Sequence, residues 1–398
     1  MSPAAAAAAE GERRRAAGEK FFGAEADRIA RLCHRMAERF ARGGRLVAFG
    51  AGPVARSDAR HVAVEFVHPV IVGKRALPAL GLTAEGGPVA AQVELLIEPD
   101  DIALAFGSDP ETVVALSVAR ERGCLTLADA RVGAEWEFVA EEDDPFVAQE
   151  LVETLYHVLW ELVHVFFDHR GLLEGRTQRP MHDTGASSFL YPFFAEQEDD
   201  LESVVADVRA SVLAKSEEIS ALREATLREG GGVLHAAAAA LRARFEAGGR
   251  VLALGNGGSA TDAMDAVADL RSPPVGMTPR PAIDLCEDPG ILTAIANDVG
   301  VESVFARQVI AHGRGSDALL AFSTSGGSQN VLRALEEARR RGLLTIAFVG
   351  YDGGQIFAGG LADHVVVTRS EHIPRIQEAQ ASGWHVLRTL VETVSAHP

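Results

Sequence analysis

Apolar positions along the chain fall into two alternating patterns, and the whole arrangement occurs twice. From Ala24 to Ala41, Ile29, Leu32, Met36 and Phe40 recur at the spacing of an amphipathic helix, which Gly43-Gly44 stops. Leu46–Phe49 is then uninterruptedly apolar, which predicts a parallel strand covered on both faces. Val233–Ala247 repeats the helix with Leu234, Leu241 and Phe245, Gly248-Gly249 repeats the stop, and Val251–Leu254 repeats the strand. Strand–helix pairs follow in each copy: Ile102–Phe106 with Glu111–Arg122, and Ala318–Phe322 with Gln329–Arg341. Leu125–Ala128, Leu344–Val349 and Val365–Val367 add strands. Strands alternating with helices predict a doubly wound α/β fold with a parallel sheet, present in two tandem copies.

The repeat sets the expected organisation. Residues 1–20 open on an alanine run with no basic segment before an apolar core, and read as a disordered tail, not a signal peptide. Residues 21–165 form the first domain. Residues 166–200 form a linker, punctuated by Gly171, Gly175, Pro180, Gly185 and Pro192. Phe189, Tyr191, Phe193 and Phe194 make it apolar enough to pack on a domain or across a subunit boundary. Residues 201–398 form the second domain, entered through a long helix from Leu201 to Leu227 behind Glu198-Asp199-Asp200, acids that suit a helix N-terminus.

Composition narrows the function classes. The 398 residues suffice for two domains, and a net charge of −18 argues against a nucleic-acid partner, which would need a basic face. Cys33, Cys124 and Cys286 are far apart and in no metal-ligand spacing, as in reduced cytoplasmic proteins. No apolar run is long enough for a membrane span. A cytoplasmic protein is expected.

The candidate chemistry begins in the second copy. Asn256-Gly257-Gly258-Ser259 joins a strand to a helix, and Ser323-Thr324-Ser325-Gly326-Gly327-Ser328 does so after the next strand. Small residues let backbone amides approach an anion, and helix N-termini add unpaired N–H groups. Both loops lie at carboxyl ends of parallel strands, where open sheets bind ligands. Neither has the spacing or lysine of a nucleotide-hydrolysing phosphate loop.

Leu254 to Ala263, Leu292 to Asp298, Ser323 to Gly326, Asp352-Gly353-Gly354 and Arg375-Ile376-Gln377-Glu378 together strongly resemble the sedoheptulose-7-phosphate isomerase (phosphoheptose isomerase) family of the sugar isomerase (SIS) superfamily. The resemblance covers residues 201–398, and residues 24–165 look like a diverged second copy. It implies two SIS domains, each a flavodoxin-like α/β/α sandwich with a five-stranded parallel sheet. It also implies ketose–aldose isomerisation of a sugar phosphate through an enediolate, most simply sedoheptulose 7-phosphate to D-glycero-D-manno-heptose 7-phosphate, with a bound divalent metal such as zinc. Family members are usually homotetramers with sites between subunits, so a homodimer of this chain would reproduce four domains. Asn256, Gly257, Gly258, Ser259, Asp288, Ser323, Thr324, Ser325, Ser328 and Gln377 then match substrate-binding positions.

The family's histidine and glutamate four apart, and glutamine and histidine eight apart, match His61 and Glu65, and Gln149 and His157, in the first copy. The resemblance makes all four metal ligands and gives Glu65 and His157 the acid–base work. In the second copy Asp265 and Asp269 replace the first pair, while Gln377 and His385 keep the second. The shorter Asp269 is expected to fall short as a base. Conversely, the first copy's loops, Gly50-Ala51-Gly52-Pro53 and Phe106-Gly107-Ser108-Asp109-Pro110, lack the serines, and Asp109 would repel a phosphate. A site composed of both copies is therefore expected, with His385 paired to His61 and Glu65 as a variant. Rival readings are a non-catalytic sugar-phosphate-binding adaptor and an isomerase of another sugar phosphate, since the departures at Asp265, Asp269 and Pro273 leave the exact sugar open.

Overall fold

The computed structural model describes residues 3–71, 74–173 and 200–393. The first copy runs α1 (Pro3–Ala41), β1 (Leu46–Phe49), α2 (Pro53–Val67), β2 (Ala79–Leu82), α3 (Val89–Leu96), β3 (Ile102–Ala105), α4 (Pro110–Glu121), β4 (Leu125–Ala128), β5 (Trp136–Glu137) and α5 (Pro145–Asp168). The second runs α6 (Leu201–Glu246), β6 (Val251–Leu254), α7 (Gly258–Arg271), β7 (Ala282–Asp284), α8 (Pro289–Asp298), α9 (Val304–His312), β8 (Ala318–Ser323), α10 (Gln329–Arg340), β9 (Leu344–Gly350), α11 (Gly354–Ala358), β10 (His364–Thr368) and α12 (Ile373–Thr393).

Each copy contains a five-stranded sheet, ordered β2-β1-β3-β4-β5 and β7-β6-β8-β9-β10, with every pairing parallel. Both have the flavodoxin-like order, and even the register repeats: Leu46 faces Ala79 and Ile102, as Val251 faces Ala282 and Ala318. The fold is two tandem flavodoxin-like α/β/α domains.

The repeated glycine pair has a steric cause. Gly43 and Gly248 adopt φ of 97° and 76°, the left-handed region that ends a helix. A Cβ on Gly44 or Gly249 would lie 2.0 Å from the carbonyl oxygen of Asp100 or Ser316, so strand entry permits no side chain. The continuously apolar strands are explained by their two covered faces. Val251, Ala253, Leu320, Phe322 and Ile346 pack with Leu234, Leu241, Leu270 and Trp384. Their neighbours Leu252, Leu254, Leu319, Ala321 and Ala347 pack with Val304, Val309, Val331 and Leu335.

Three expectations change. The alanine run is no tail: Pro3 begins a helix continuous to Ala41, as alanine's helix propensity allows, and Arg14 within it is buried. Two helices expected before the second copy are one, α6, which passes through Gly230-Gly231-Gly232. The compact units also differ from the sequential halves. One comprises Met1–Ala17, Pro145–Glu150 and Glu218–Pro398, the other Gly18–Asp144 and Leu151–Glu217. Most of the 166–200 linker, with Phe189, Tyr191, Phe193 and Phe194, lies outside the described residues. Among the described residues no helix is long and apolar enough to cross a membrane.

Candidate active site

In the second copy the topological switch point falls between β6 and β8, and the loops that leave these strands carry Asn256–Ser259 and Ser323–Ser328. Asn256 and Asn330 exchange two amide hydrogen bonds, at 3.0 and 2.8 Å, tying the first loop to the start of α10. Ser259 is buried in the first turn of α7. Buried Ser323 accepts from the Gly326 amide at 3.1 Å, and Ser325 Oγ accepts from the Gly327 amide at 3.3 Å. Gly326 has φ of 59°, and a Cβ there would lie 2.3 Å from the Gly353 carbonyl oxygen, so this turn is fixed by glycine. Ser328 stands at the N-cap of α10 without a side-chain capping bond, and Thr324 is half-buried. Asp288, expected near the sugar, is exposed and caps α8 by accepting from the Ile291 amide at 3.0 Å.

The equivalent place in the first copy is filled by the chain itself. Asp109 caps α4, its Oδ1 accepting from the amides of Glu111 and Thr112, both at 3.0 Å. Thr112 Oγ1 donates to Asp109 Oδ2 at 2.5 Å and accepts from the Ala51 amide at 3.3 Å. Burial alone would raise the Asp109 carboxyl, but the bonds from Thr112 and Glu111 outweigh it and hold the group below the usual carboxylate range. A carboxylate therefore occupies the helix N-terminus where an anionic ligand would sit.

His61 and Glu65 lie one turn apart on α2, both buried, with His61 Nε2 3.9 Å from Glu65 Oε1. His157 of α5 brings its Nε2 to 3.3 Å from His61 Nε2. Tyr156 shares a hydrogen bond with His61 Nδ1 at 3.1 Å, fixing the ring and aiming Nε2 at the cluster. The donor set fits a zinc-like cation: a tetrahedral metal roughly 2.0–2.1 Å from two imidazole nitrogens sets them about 3.3 Å apart. Two histidines and a glutamate are also a common catalytic zinc set. Gln149, expected as a fourth member, has another destination. Its Nε2 donates to Asp265 Oδ1 at 2.7 Å, and residues 145–150 belong to the unit that contains the second copy.

In that unit Asp265 and Asp269 of α7 meet His385 of α12. His385 Nε2 is 3.6 Å from Asp269 Oδ2 and 3.8 Å from Asp265 Oδ2, too far for a hydrogen bond to either. Trp384 Nε1 donates to Asp269 Oδ2 at 2.8 Å, and the Phe146 ring stacks on the imidazole with centroids 4.5 Å apart. On the other side of the ring, Nδ1 lies 2.9 Å from Glu150 Oε1. The helix of Asp269 thus places its carboxylate beside the histidine. Gln377, eight residues before His385, is buried in α12.

Burial alone would push His385 down, but the carboxylates of Asp265, Glu150 and Asp269 outweigh it and lift the imidazole to about 10. Burial, helped by the Asp265 charge, raises the Asp269 carboxyl to about 7. Asp265, Asp269 and His385 are, like His61, Glu65 and His157, a group able to hold a cation, and with the imidazole protonated beside two carboxylates they are also suited to moving protons. Glu150, Tyr156 and Arg14 went unread in the sequence. Gln149-Glu150 and Gln377-Glu378 repeat one dipeptide, a signal that could have drawn attention to Glu150.

The SIS domain family matches residues 216–350. A phosphoheptose isomerase of Pelodictyon phaeoclathratiforme is 45% identical over 176 residues, 43% of this chain and 82% of that protein. A phosphoheptose isomerase of Chlorobaculum parvum is 44% identical over 181 residues, 44% of this chain and 85% of that protein. The C-terminal domain of glucosamine-fructose-6-phosphate aminotransferase from Francisella tularensis superposes with a TM-score of 0.57 at 11% identity. It covers 96% of this chain and 93% of that one, a likeness of fold.

Proposed function

Because the chain belongs to the phosphoheptose isomerase family of SIS-domain proteins and is a sugar-phosphate isomerase, we propose that it converts sedoheptulose 7-phosphate to D-glycero-D-manno-heptose 7-phosphate. In this reading the second copy does the chemistry. Ser259, Ser323, Thr324, Ser325 and Ser328, with the amides of Gly257 and Gly258, grip the phosphate, and Asn256, Asp288 and Gln377 meet the sugar. The carboxylate of Asp269 takes a proton from C1 of the ketose. The C1–H electron pair becomes the C1–C2 double bond, and the carbonyl pair moves to O2, which takes a proton from His385. The enediol then gives its O1 proton to His385 as the aldehyde forms, and the C1–C2 pair takes back a proton at C2 from Asp269, which restores both groups. Positioned acid and base groups supply on the order of 10²–10⁴-fold in rate.

The observation that carries the reading is that the two serine-bearing loops and a buried carboxylate–imidazole pair occur in one compact unit, with Asp269 raised to about 7. His61, Glu65 and His157 are the residues that would hold a divalent cation, zinc by donor type, with Tyr156 orienting His61. Bound there, the cation would supply Lewis-acid polarisation of an oxygen ligand. A second reading gives the acid–base work to Glu65 and His157, favoured by their meeting at His61. We place the protein in the cytoplasm as a homodimer; exposed Ile291, Val299 and Val301 are apolar surface such an assembly could cover.

The test is incubation of the purified chain with sedoheptulose 7-phosphate, followed by NMR for the aldose signal, beside hexose and pentose phosphates. Turnover of the heptose alone supports the substrate assignment. Turnover of a hexose or pentose phosphate alone overturns the substrate while keeping the reaction.

A further inference from the structure

His385 has one ring nitrogen facing two carboxylates and the other fixed on a third, and only the first pair belongs to the chemistry described above. Glu150 comes from a different helix, α5, and lies in the same compact unit as His385. Its carboxylate and the imidazole are both about 1% exposed, and Glu150 Oε1 is 2.9 Å from Nδ1. We propose that Glu150 is a positioning residue for the isomerase reaction, holding His385 as the Nδ1–H form so that Nε2 points at the reacting atoms; this rests on the assignment of His385 as the acid.

The surroundings of Glu150 make it a fixed anion. Arg14 Nε donates to Oε2 at 2.9 Å and Nη2 to Oε1 at 3.0 Å, a two-pronged contact from a guanidinium that is itself buried. Ser382 Oγ, one turn before His385 on α12, donates to Oε2 at 2.5 Å. Arg223 of α6 donates through Nη2 to the Glu150 carbonyl oxygen at 3.1 Å and brings Nε within 3.8 Å of Oε2. Both carboxylate oxygens are thus held by rigid donors, and with Oε1 held, the imidazole hydrogen must lie on Nδ1. An ionised carboxylate accepts and cannot donate, so Nδ1 carries a proton whether the ring is neutral or charged. When Nε2 gives up its proton the ring keeps one tautomer, and the proton lost is the one that faces Asp265 and Asp269.

Arg14 lies on α1, helical from Pro3 to Ala41, so the opening segment of the chain contributes the guanidinium that fixes the carboxylate.

The direct measurement is the ¹⁵N spectrum of histidine-labelled wild-type protein, with His385 assigned by its loss in His385→Gln. A neutral ring of Nδ1–H form is expected where deprotonation is reached, with a strongly hydrogen-bonded Nδ1 proton below that pH. An Nε2–H ring overturns the proposal, and this readout needs no variant of Glu150 to fold. Steady-state kinetics of Glu150→Gln then read the consequence: kcat reduced about 10- to 1000-fold with KM within about threefold. Glu150→Asp, which keeps the charge, should recover part of that loss. Unchanged kcat in a folded Glu150→Gln overturns the proposal. If His385→Gln itself turns over at the wild-type rate, the acid assignment fails instead, a result the Nδ1–H spectrum cannot mimic.

Discussion

Asp269 and His385 stand 3.6 Å apart, carboxylate oxygen to imidazole nitrogen, and that oxygen is held from a third side by the Trp384 indole at 2.8 Å. The gap is a little longer than a hydrogen bond, so the two groups do not quench each other. They are shifted upward to different degrees, the carboxyl by burial and Asp265, the imidazole by the carboxylates around it. A base that is ionised and an acid that is protonated coexist only between those two values.

The first prediction is a bell-shaped pH profile of kcat/KM. Activity rises as Asp269 ionises near pH 7 and falls as His385 deprotonates near pH 10. Initial rates from pH 5.5 to 10.5 check it. In Asp269→Asn the rising limb should vanish along with most of the activity.

The same shift governs stability. Asp269 binds its proton more tightly folded, at about 7, than at the unshifted value of 3.8. Its contribution is therefore fully present below about pH 4 and lost as pH rises through 7. Asp269→Asn has no such loss, so the melting temperature of the variant minus that of wild type should increase from pH 4.5 to pH 8. Differential scanning calorimetry at both pH values reads the difference, and a difference independent of pH contradicts the shift.

Leu46–Phe49, Leu125–Ala128 and Val251–Leu254 are strands at their expected bounds, because short, mainly apolar runs after a glycine-terminated helix admit little else between two helical layers. Ala79–Leu82, Trp136–Glu137 and Ala282–Asp284 went unseen, being short edge-side strands, two of them of three residues or fewer. The alanine run was misread because it has no polar face to reveal a period, and its one informative residue, Arg14, gains meaning only from Glu150. The expected helix ends at Leu227, yet α6 runs on through Gly230-Gly231-Gly232, and a Cβ on Gly230 would lie 3.3 Å from Val366 Cγ1. At the site, the residue types were legible and their grouping was not. Gln149 and His157 share a helix, yet Gln149 bonds Asp265 while His157 joins His61, a division that depends on tertiary packing.

Asp109 illustrates a loop that serves stability. Asp109→Ala removes the α4 cap and should cost about 0.5–2 kcal/mol in chemical denaturation. Isomerase activity at 25 °C should stay within twofold of wild type, since the proposed reading gives the first copy's loop no part in gripping the substrate.

Ser328 is the counterpart in the second copy, without a side-chain capping bond to lose. Ser328→Ala should leave the melting temperature within about 2 °C of wild type while raising KM for the sugar phosphate about 10-fold, the equivalent of one charge-assisted hydrogen bond. Inorganic phosphate should inhibit the variant correspondingly less, as measured by its inhibition constant.

Parallel turnover measurements on Asp269→Asn and Glu65→Gln, each with its metal content determined, test the central claim most directly. Chemistry in the second copy predicts that Asp269→Asn loses at least about 100-fold in kcat. Glu65→Gln should then lose bound metal while its acid–base limbs in the pH profile stay in place. The account is contradicted if Asp269→Asn turns over at the wild-type rate while Glu65→Gln, still folded and supplied with zinc, is inactive.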